Sequence, residues 1–249
     1  MRKKLVAANW KMHKTPQQAR EFVSGFLSLA KGHTRDEIVL CPPFIDIPEV
    51  VEAVEGSDIQ VGAQDMFWEK EGAYTGAISA GMLVAAGCTH VIIGHSERRQ
   101  YFGETDATVN RKLRTALAAG LKPIVCVGEV IEEREAGLTD EVLRRQCSVA
   151  FREISGAEAS PIIVAYEPVW AIGTGKTATP ELAAEAHQVI RAEAAKAFGD
   201  AVAAQMRILY GGSVKPENAK ALMGQPEIDG ALVGGASLEP KSLAAIVKY

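Results

Sequence analysis

Short apolar runs recur along the chain, separated by longer segments in which apolar positions fall at helical spacing. The runs lie at 5–10, 38–41, 59–62, 90–94, 123–127, 162–165, 207–210 and 228–233. Several are rich in Val and Ile and show no polar alternation, the pattern of strands buried on both faces in a parallel sheet. Runs this short also occur in buried helices, so their lengths and flanks carry weight. Between the first two runs, Ala19, Phe22, Val23, Phe26, Leu27 and Ala30 recur at intervals of three and one and share one helix face. Thr15 and Pro16 precede them, a hydroxyl cap followed by proline at the first helical position. Thr179 and Pro180 repeat that signal before Leu182, Ala186, Val189 and Ile190. Residues 106–119, 142–154 and 241–247 also read as helices.

Eight strand-plus-helix units thus follow one another without a low-complexity linker. Parallel strands need crossovers, and helices supply them. Eight repeats with no break in composition predict closure into a single α/β domain, a (β/α)8 barrel over residues 1–249. The alternative is an open doubly wound sheet, which would carry a GxGxxG dinucleotide fingerprint after its first strand. No such fingerprint follows the run at 5–10.

Composition narrows the function classes. A chain of 249 residues suits one barrel domain. A formal net charge of −4 leaves no basic footprint for nucleic acid. It does not oppose an anionic substrate, because a site can be locally positive on an acidic protein. Cys41, Cys88, Cys126 and Cys147 form no CxxC pair and no Cys/His cluster, so no metal or redox site is expected and the thiols read as reduced. The start, Met1-Arg2-Lys3-Lys4 and then Leu5 to Ala8, superficially resembles a signal peptide. Its apolar run is too short for one, or for a membrane span, and reads as a first buried strand. A cytoplasmic protein with no membrane partner is expected.

In a parallel barrel the active site lies at the C-terminal ends of the strands. The polar residues that end the apolar runs are therefore the candidates. The first run ends at Asn9 and Lys11, the fourth at His95, Ser96 and Glu97, and the sixth at Glu167. The seventh ends in Gly211, Gly212 and Ser213, and the eighth in Gly234 and Gly235. Each has a plain structural alternative: a solvated lysine, a lone histidine or carboxylate, a glycine turn. Their joint arrival at equivalent strand ends points to a cation, an imidazole, a carboxylate and two glycine-rich turns on one face.

The local sequences go further. Ala8-Asn9-Trp10-Lys11-Met12, Gly94-His95-Ser96-Glu97-Arg98-Arg99 and the segment from Ala165 through Glu167-Pro168-Val169-Trp170 to Lys176 resemble the motifs of the triosephosphate isomerase family. So do Tyr210-Gly211-Gly212-Ser213-Val214 and Val233-Gly234-Gly235-Ala236-Ser237-Leu238, all in the family's order. The resemblance covers essentially the whole chain. It implies a TIM barrel that interconverts dihydroxyacetone phosphate and D-glyceraldehyde 3-phosphate in glycolysis and gluconeogenesis, without a cofactor or metal. It implies Glu167 as the base that moves a proton between C1 and C2, and His95 as a neutral donor to the carbonyl and enediolate oxygens. Lys11 would supply fixed positive charge, with Asn9 beside it and Glu97 in a hydrogen-bonding, proton-relay role. The amides of Gly173, Ser213, Gly234 and Gly235 would hold the phosphate. Residues 168–178 would form a lid whose closure excludes water and keeps the enediolate from losing its phosphate. Residues 64–79, with Phe67, Trp68, Tyr74 and Thr75, would form a homodimerisation loop, Thr75 reaching a second copy near Asn9 and Glu97.

Two rivals follow from the same features. One is another phosphosugar barrel enzyme: a metal-dependent epimerase, or a Schiff-base aldolase for which Lys11 is the strong candidate. The other is a non-catalytic barrel used for binding. His13 and the polar stretch 129–140 lie outside the motifs and receive no role.

Overall fold

The computed structural model describes residues 2–172 and 177–249. Eight parallel strands close into a barrel in chain order: β1 Leu5–Asn9, β2 Glu37–Cys41, β3 Gln60–Ala63, β4 His90–Ile93, β5 Lys122–Val127, β6 Ile163–Tyr166, β7 Arg207–Tyr210 and β8 Gly230–Val233. The seam is made by β1 and β8, with Leu5 opposite Gly230 and Ala8 opposite Val233. The helices lie outside. They are α1 Pro16–Ala30, α2 Ile47–Ala53, α3 Ala80–Ala85, α4 Ser96–Phe102, α5 Asp106–Ala118, α6 Ile131–Glu135, α7 Thr139–Ala150, α8 Pro180–Phe198, α9 Asp200–Gln205, α10 Pro216–Met223 and α11 Pro240–Val247.

The missing polar alternation has a direct cause, because both faces of each strand are covered. Leu5 and Ala7 join Val39, Cys41, Ile92, Ile124, Cys126, Ile163, Ala165, Leu209 and Leu232 as one cluster of buried residues. Their neighbours in β1, Val6 and Ala8, belong instead to the larger cluster that includes Phe22, Val23 and Phe26 of α1. Trp10 and Phe22 meet edge to face at 4.8 Å, and Phe22 stacks on Phe26 at 5.8 Å. Burying one such ring is worth roughly 1.5–3 kcal/mol.

Helix starts follow the expected chemistry. Thr15 accepts from the Gln18 amide while the Gln18 side chain accepts from the Thr15 amide, and Pro16 fills the first turn. Thr179 accepts from the Leu182 amide in the same way at α8. The helix expected at 142–154 instead begins at Thr139, where Asp140 and Glu141 favour a helix N-terminus, and ends at Ala150. The short helix α6 gave no periodic signal because it buries no residue. All four cysteines are free and buried.

Candidate active site

At the end of β1 the chain turns sharply. Lys11 takes a left-handed conformation, φ 53°, which costs a non-glycine residue on the order of 1 kcal/mol. Two side chains hold it there. Asn9 Oδ1 accepts from the Lys11 amide at 3.0 Å, and Gln64 Nε2 donates to the Lys11 carbonyl at 2.8 Å and to the Cys41 carbonyl at 2.9 Å. The result aims the Lys11 stem over Gly234, where a β-carbon would sit 3.3 Å from Lys11 Cε. Its ammonium pairs with Glu97 at 2.7 Å.

His95 follows β4 and caps α4. Its Nδ1 accepts from the Glu97 amide at 3.2 Å, and its Nε2 lies 2.9 Å from Glu167 Oε1. Burial pushes the imidazolium down, and the Glu167 and Glu97 carboxylates pull it back above its ordinary value. Against that pull, a second ring proton on Nδ1 would break the bond from the Glu97 amide. The geometry therefore holds a neutral ring with its proton on Nε2.

Glu167 lies just past β6, its amide bonded to the Val127 carbonyl at 2.7 Å. Its carboxylate is buried, yet it accepts from the Ser96 amide at 2.9 Å, from Ser96 Oγ at 3.1 Å and from His95. Burial raises its pKa, but His95 and Ser96 together hold it below the usual carboxylate range. Ser96 was visible in the sequence only as a strand-end residue. Its amide and hydroxyl act as a clasp because α4 begins there.

Asn9, Lys11, His95 and Glu167 line one cavity of about 390 Å³ with Gly211, Gly212, Ser213, Gly234 and Gly235. The Gly234 carbonyl is tied to the Ser237 amide at 2.8 Å and hydroxyl at 2.7 Å. That fixes the peptide carrying the Gly235 amide, whose N–H points opposite to the tied carbonyl. Glu97 stands behind His95, through its contacts with the imidazole and Lys11. Gly173, a sequence candidate for phosphate contact, lies outside the described residues. His13, given no role from sequence, lines the same cavity. Among the described residues, no three His, Cys, Asp or Glu side chains gather into a metal-holding group.

Beside the cavity, Glu129 is fully buried and organises the stem of the segment 168–178. Its carboxylate accepts from Trp170 Nε1 at 2.9 Å and from the Tyr166 hydroxyl at 3.1 Å, while its carbonyl accepts from the Val169 amide at 3.1 Å. Sequence reasoning left this residue without a role. A carboxylate with apolar β5 close before it was the available signal.

A model of the triosephosphate isomerase family matches residues 4–249. The chain is 55% identical over 249 residues to the triosephosphate isomerase of Solibacter usitatus, covering the whole of both proteins. It is 57% identical over 249 residues to that of Moorella thermoacetica, covering all of this chain and 99% of the relative. Against the enzyme of Geobacter metallireducens the identity is 54%, again over the whole chain and 99% of the relative.

Proposed function

The chain belongs to the triosephosphate isomerase family, and from that premise we propose how its residues interconvert dihydroxyacetone phosphate and D-glyceraldehyde 3-phosphate, the family's step in glycolysis. Glu167 takes the proton from C1 of the ketose, and an enediolate forms. The same carboxyl returns the proton to C2, while a hydroxyl proton passes from O1 to O2. Substrate and product differ only in these positions, so no atom is gained or lost. The observation that carries this reading is the 2.9 Å contact between Glu167 and His95 in the cavity shared with Lys11 and the glycine turns.

The contacts of Glu167 supply a physical order of events. Glu167 is held by three donors, each worth about 1.5–3 kcal/mol when the acceptor is charged. A substrate oxygen that takes the His95 Nε2–H bond removes one of them and the attraction that lowers the Glu167 pKa. Burial then dominates and makes the carboxylate a stronger base. The same exchange takes from His95 the carboxylate that raised its pKa, so the ring stays neutral and donates to the enediolate. Lys11, fixed by Glu97, serves as a cation. Acid–base catalysis of this kind contributes about 10²–10⁴-fold. The phosphate is assigned to the amides of Ser213, Gly234, Gly235 and Gly173. Residues 168–178 are assigned as the lid over it.

The working unit is inferred to be a homodimer in the cytoplasm. Met12, Ile45, Tyr101 and Phe102 are each more than 60% exposed and Tyr74 is 44% exposed. Large apolar side chains in such numbers call for cover. Phe67, Trp68 and Tyr74 cluster with ring centroids 4.1 and 4.7 Å apart, leaving Thr75 exposed at the tip of the loop 64–79. The proposed cover is a second copy, with Thr75 near the partner subunit's Asn9 and Glu97. Among the described residues no helix is long and apolar enough to cross a membrane.

The test is conversion of glyceraldehyde 3-phosphate to dihydroxyacetone phosphate by the purified protein in a chelator. Rapid conversion that Glu167→Gln reduces by about 10³-fold or more upholds the reading. Absence of conversion, or full activity in Glu167→Gln, overturns it.

A further inference from the structure

β5 stops pairing at Val127, whose carbonyl accepts the Glu167 amide. One residue later the chain leaves the sheet at Gly128. A β-carbon there would overlap the Glu167 carbonyl, so the two backbones lie in contact. At this point Gly128 has no strand to pair with. Its amide and carbonyl are both taken by one side chain. Gln146 of α7, buried to 6% exposure, accepts from the Gly128 amide with Oε1 at 2.7 Å. Its Nε2 donates to the Gly128 carbonyl at 3.1 Å. The carboxamide thus completes the sheet by one residue, imitating the missing strand edge.

The next residue is Glu129, which holds Val169 and Trp170 of the lid stem. Gln146 therefore sits one peptide away from both the backbone of the base and the anchor of the lid. We propose that Gln146 is a positioning residue for the isomerisation, setting Glu167 through the Gly128 peptide. This rests on the reading of Glu167 as the base. A purely structural account makes the opposite forecast. α7 already buries Val142, Leu143, Cys147 and Ala150, and leucine at 146 would add apolar packing to that face. On that account Gln146→Leu alters stability and nothing else.

Replacing the carboxamide frees the Gly128 peptide to rotate and carries the Glu167 carboxylate off the Ser96 and His95 donors. A full 1 Å displacement costs about 100-fold in rate, so a partial one costs about tenfold. Among the described residues, Glu167 faces His95, with Glu97 and Lys11 beyond it, and the buried Cys126 thiol on β5, while Arg99, Asp106, Glu133 and Arg145 line the neighbouring cavity. None is bonded to Gln146, so a change in the Glu167 titration reports its own displacement.

The experiment measures kcat, KM and the pH profile of kcat/KM for Gln146→Leu, Gln146→Glu and, on the same helix, Leu143→Ala. Expected for Gln146→Leu is a kcat about tenfold lower, KM within about twofold, and an acid limb moved to higher pH as Glu167 loses its donors. Gln146→Glu keeps the acceptor for the Gly128 amide and loses the donor, so it falls between. Leu143→Ala lowers the melting temperature and leaves rate and pH profile parental. Parental kcat and acid limb in Gln146→Leu, or in Gln146→Glu if the leucine variant fails to fold, overturns the inference while an inactive Glu167→Gln leaves the base standing. An active Glu167→Gln overturns both.

Discussion

The backbone amide of Glu97 donates to Nδ1 of His95 at 3.2 Å, two residues along the same turn. One hydrogen bond thereby decides which ring nitrogen faces Glu167. It also predicts that the ring remains neutral, with its proton on Nε2, when an unreactive phosphorylated analogue fills the site. Nitrogen NMR of the bound protein checks this, and an imidazolium signal at neutral pH would refute it. His95→Gln, which keeps a donor but alters its place, is expected to lower kcat by about 10²–10³-fold.

Glu129 and Trp170 give a second prediction. The Trp170 indole donates to a carboxylate that is fully buried and also serves Tyr166. Glu129→Gln retains an acceptor and is expected to stay within severalfold of parental kcat/KM. Glu129→Leu removes it, at about 1.5–3 kcal/mol for a bond to a charged group, and is expected to shift Trp170 fluorescence and lower kcat/KM more than tenfold. Identical fluorescence and kinetics in the two variants would show that Glu129 does not order Trp170.

Acid sensitivity is expected to start at the opposite mouth of the barrel. There Glu37 lies against His90 Nε2 at 3.3 Å and pairs with Arg207. The close approach of His90, then the Arg207 guanidinium, hold the Glu37 carboxyl well below its usual range despite burial. Burial likewise lowers His90 below its ordinary value, against the pull of Glu37. The signs agree. Glu37 contributes stability above its unfolded pKa, near 4.3, which fades as pH falls towards the folded value. His90 is neutral in the fold, so acidification below about 6.5 favours the unfolded chain, which takes the proton more readily. Glu37→Gln is therefore expected to flatten the dependence of stability on pH below 5, by up to about 1.4 kcal/mol per pH unit. Denaturant melts between pH 3 and 7 measure it, and an unchanged slope would show that acid unfolding begins elsewhere.

The barrel and the residues of the candidate site were legible because three of the apolar runs end in polar residues and two in glycine pairs. Asn9 and Lys11 stand at one such end and His95 and Glu167 at two others, and the structure brings them to one cavity with Ser213, Gly234 and Gly235. Gln64 and Gln146 were not legible as site residues, and Ser96 was legible only as a polar residue at a strand end. Their partners, backbone groups for the two glutamines and the Glu167 carboxylate for Ser96, lie far away in sequence, and no local pattern encodes such a partner. Glu129 was hidden inside a polar stretch whose exposed members, such as Glu132 and Glu135 of α6, look the same from composition. Only the fold shows that one of these acids faces inward.

The strands that carry the chemistry are four to six residues long, and the charged cluster of Glu37, His90 and Arg207 occupies the ends opposite to His95 and Glu167. A substitution at one rim is separated from the other by a buried, mostly aliphatic layer that includes Leu5, Ile92, Ile124, Ile163 and Leu209. Selection can therefore retune the endurance of the protein in acid at one mouth and its speed at the other as nearly independent traits.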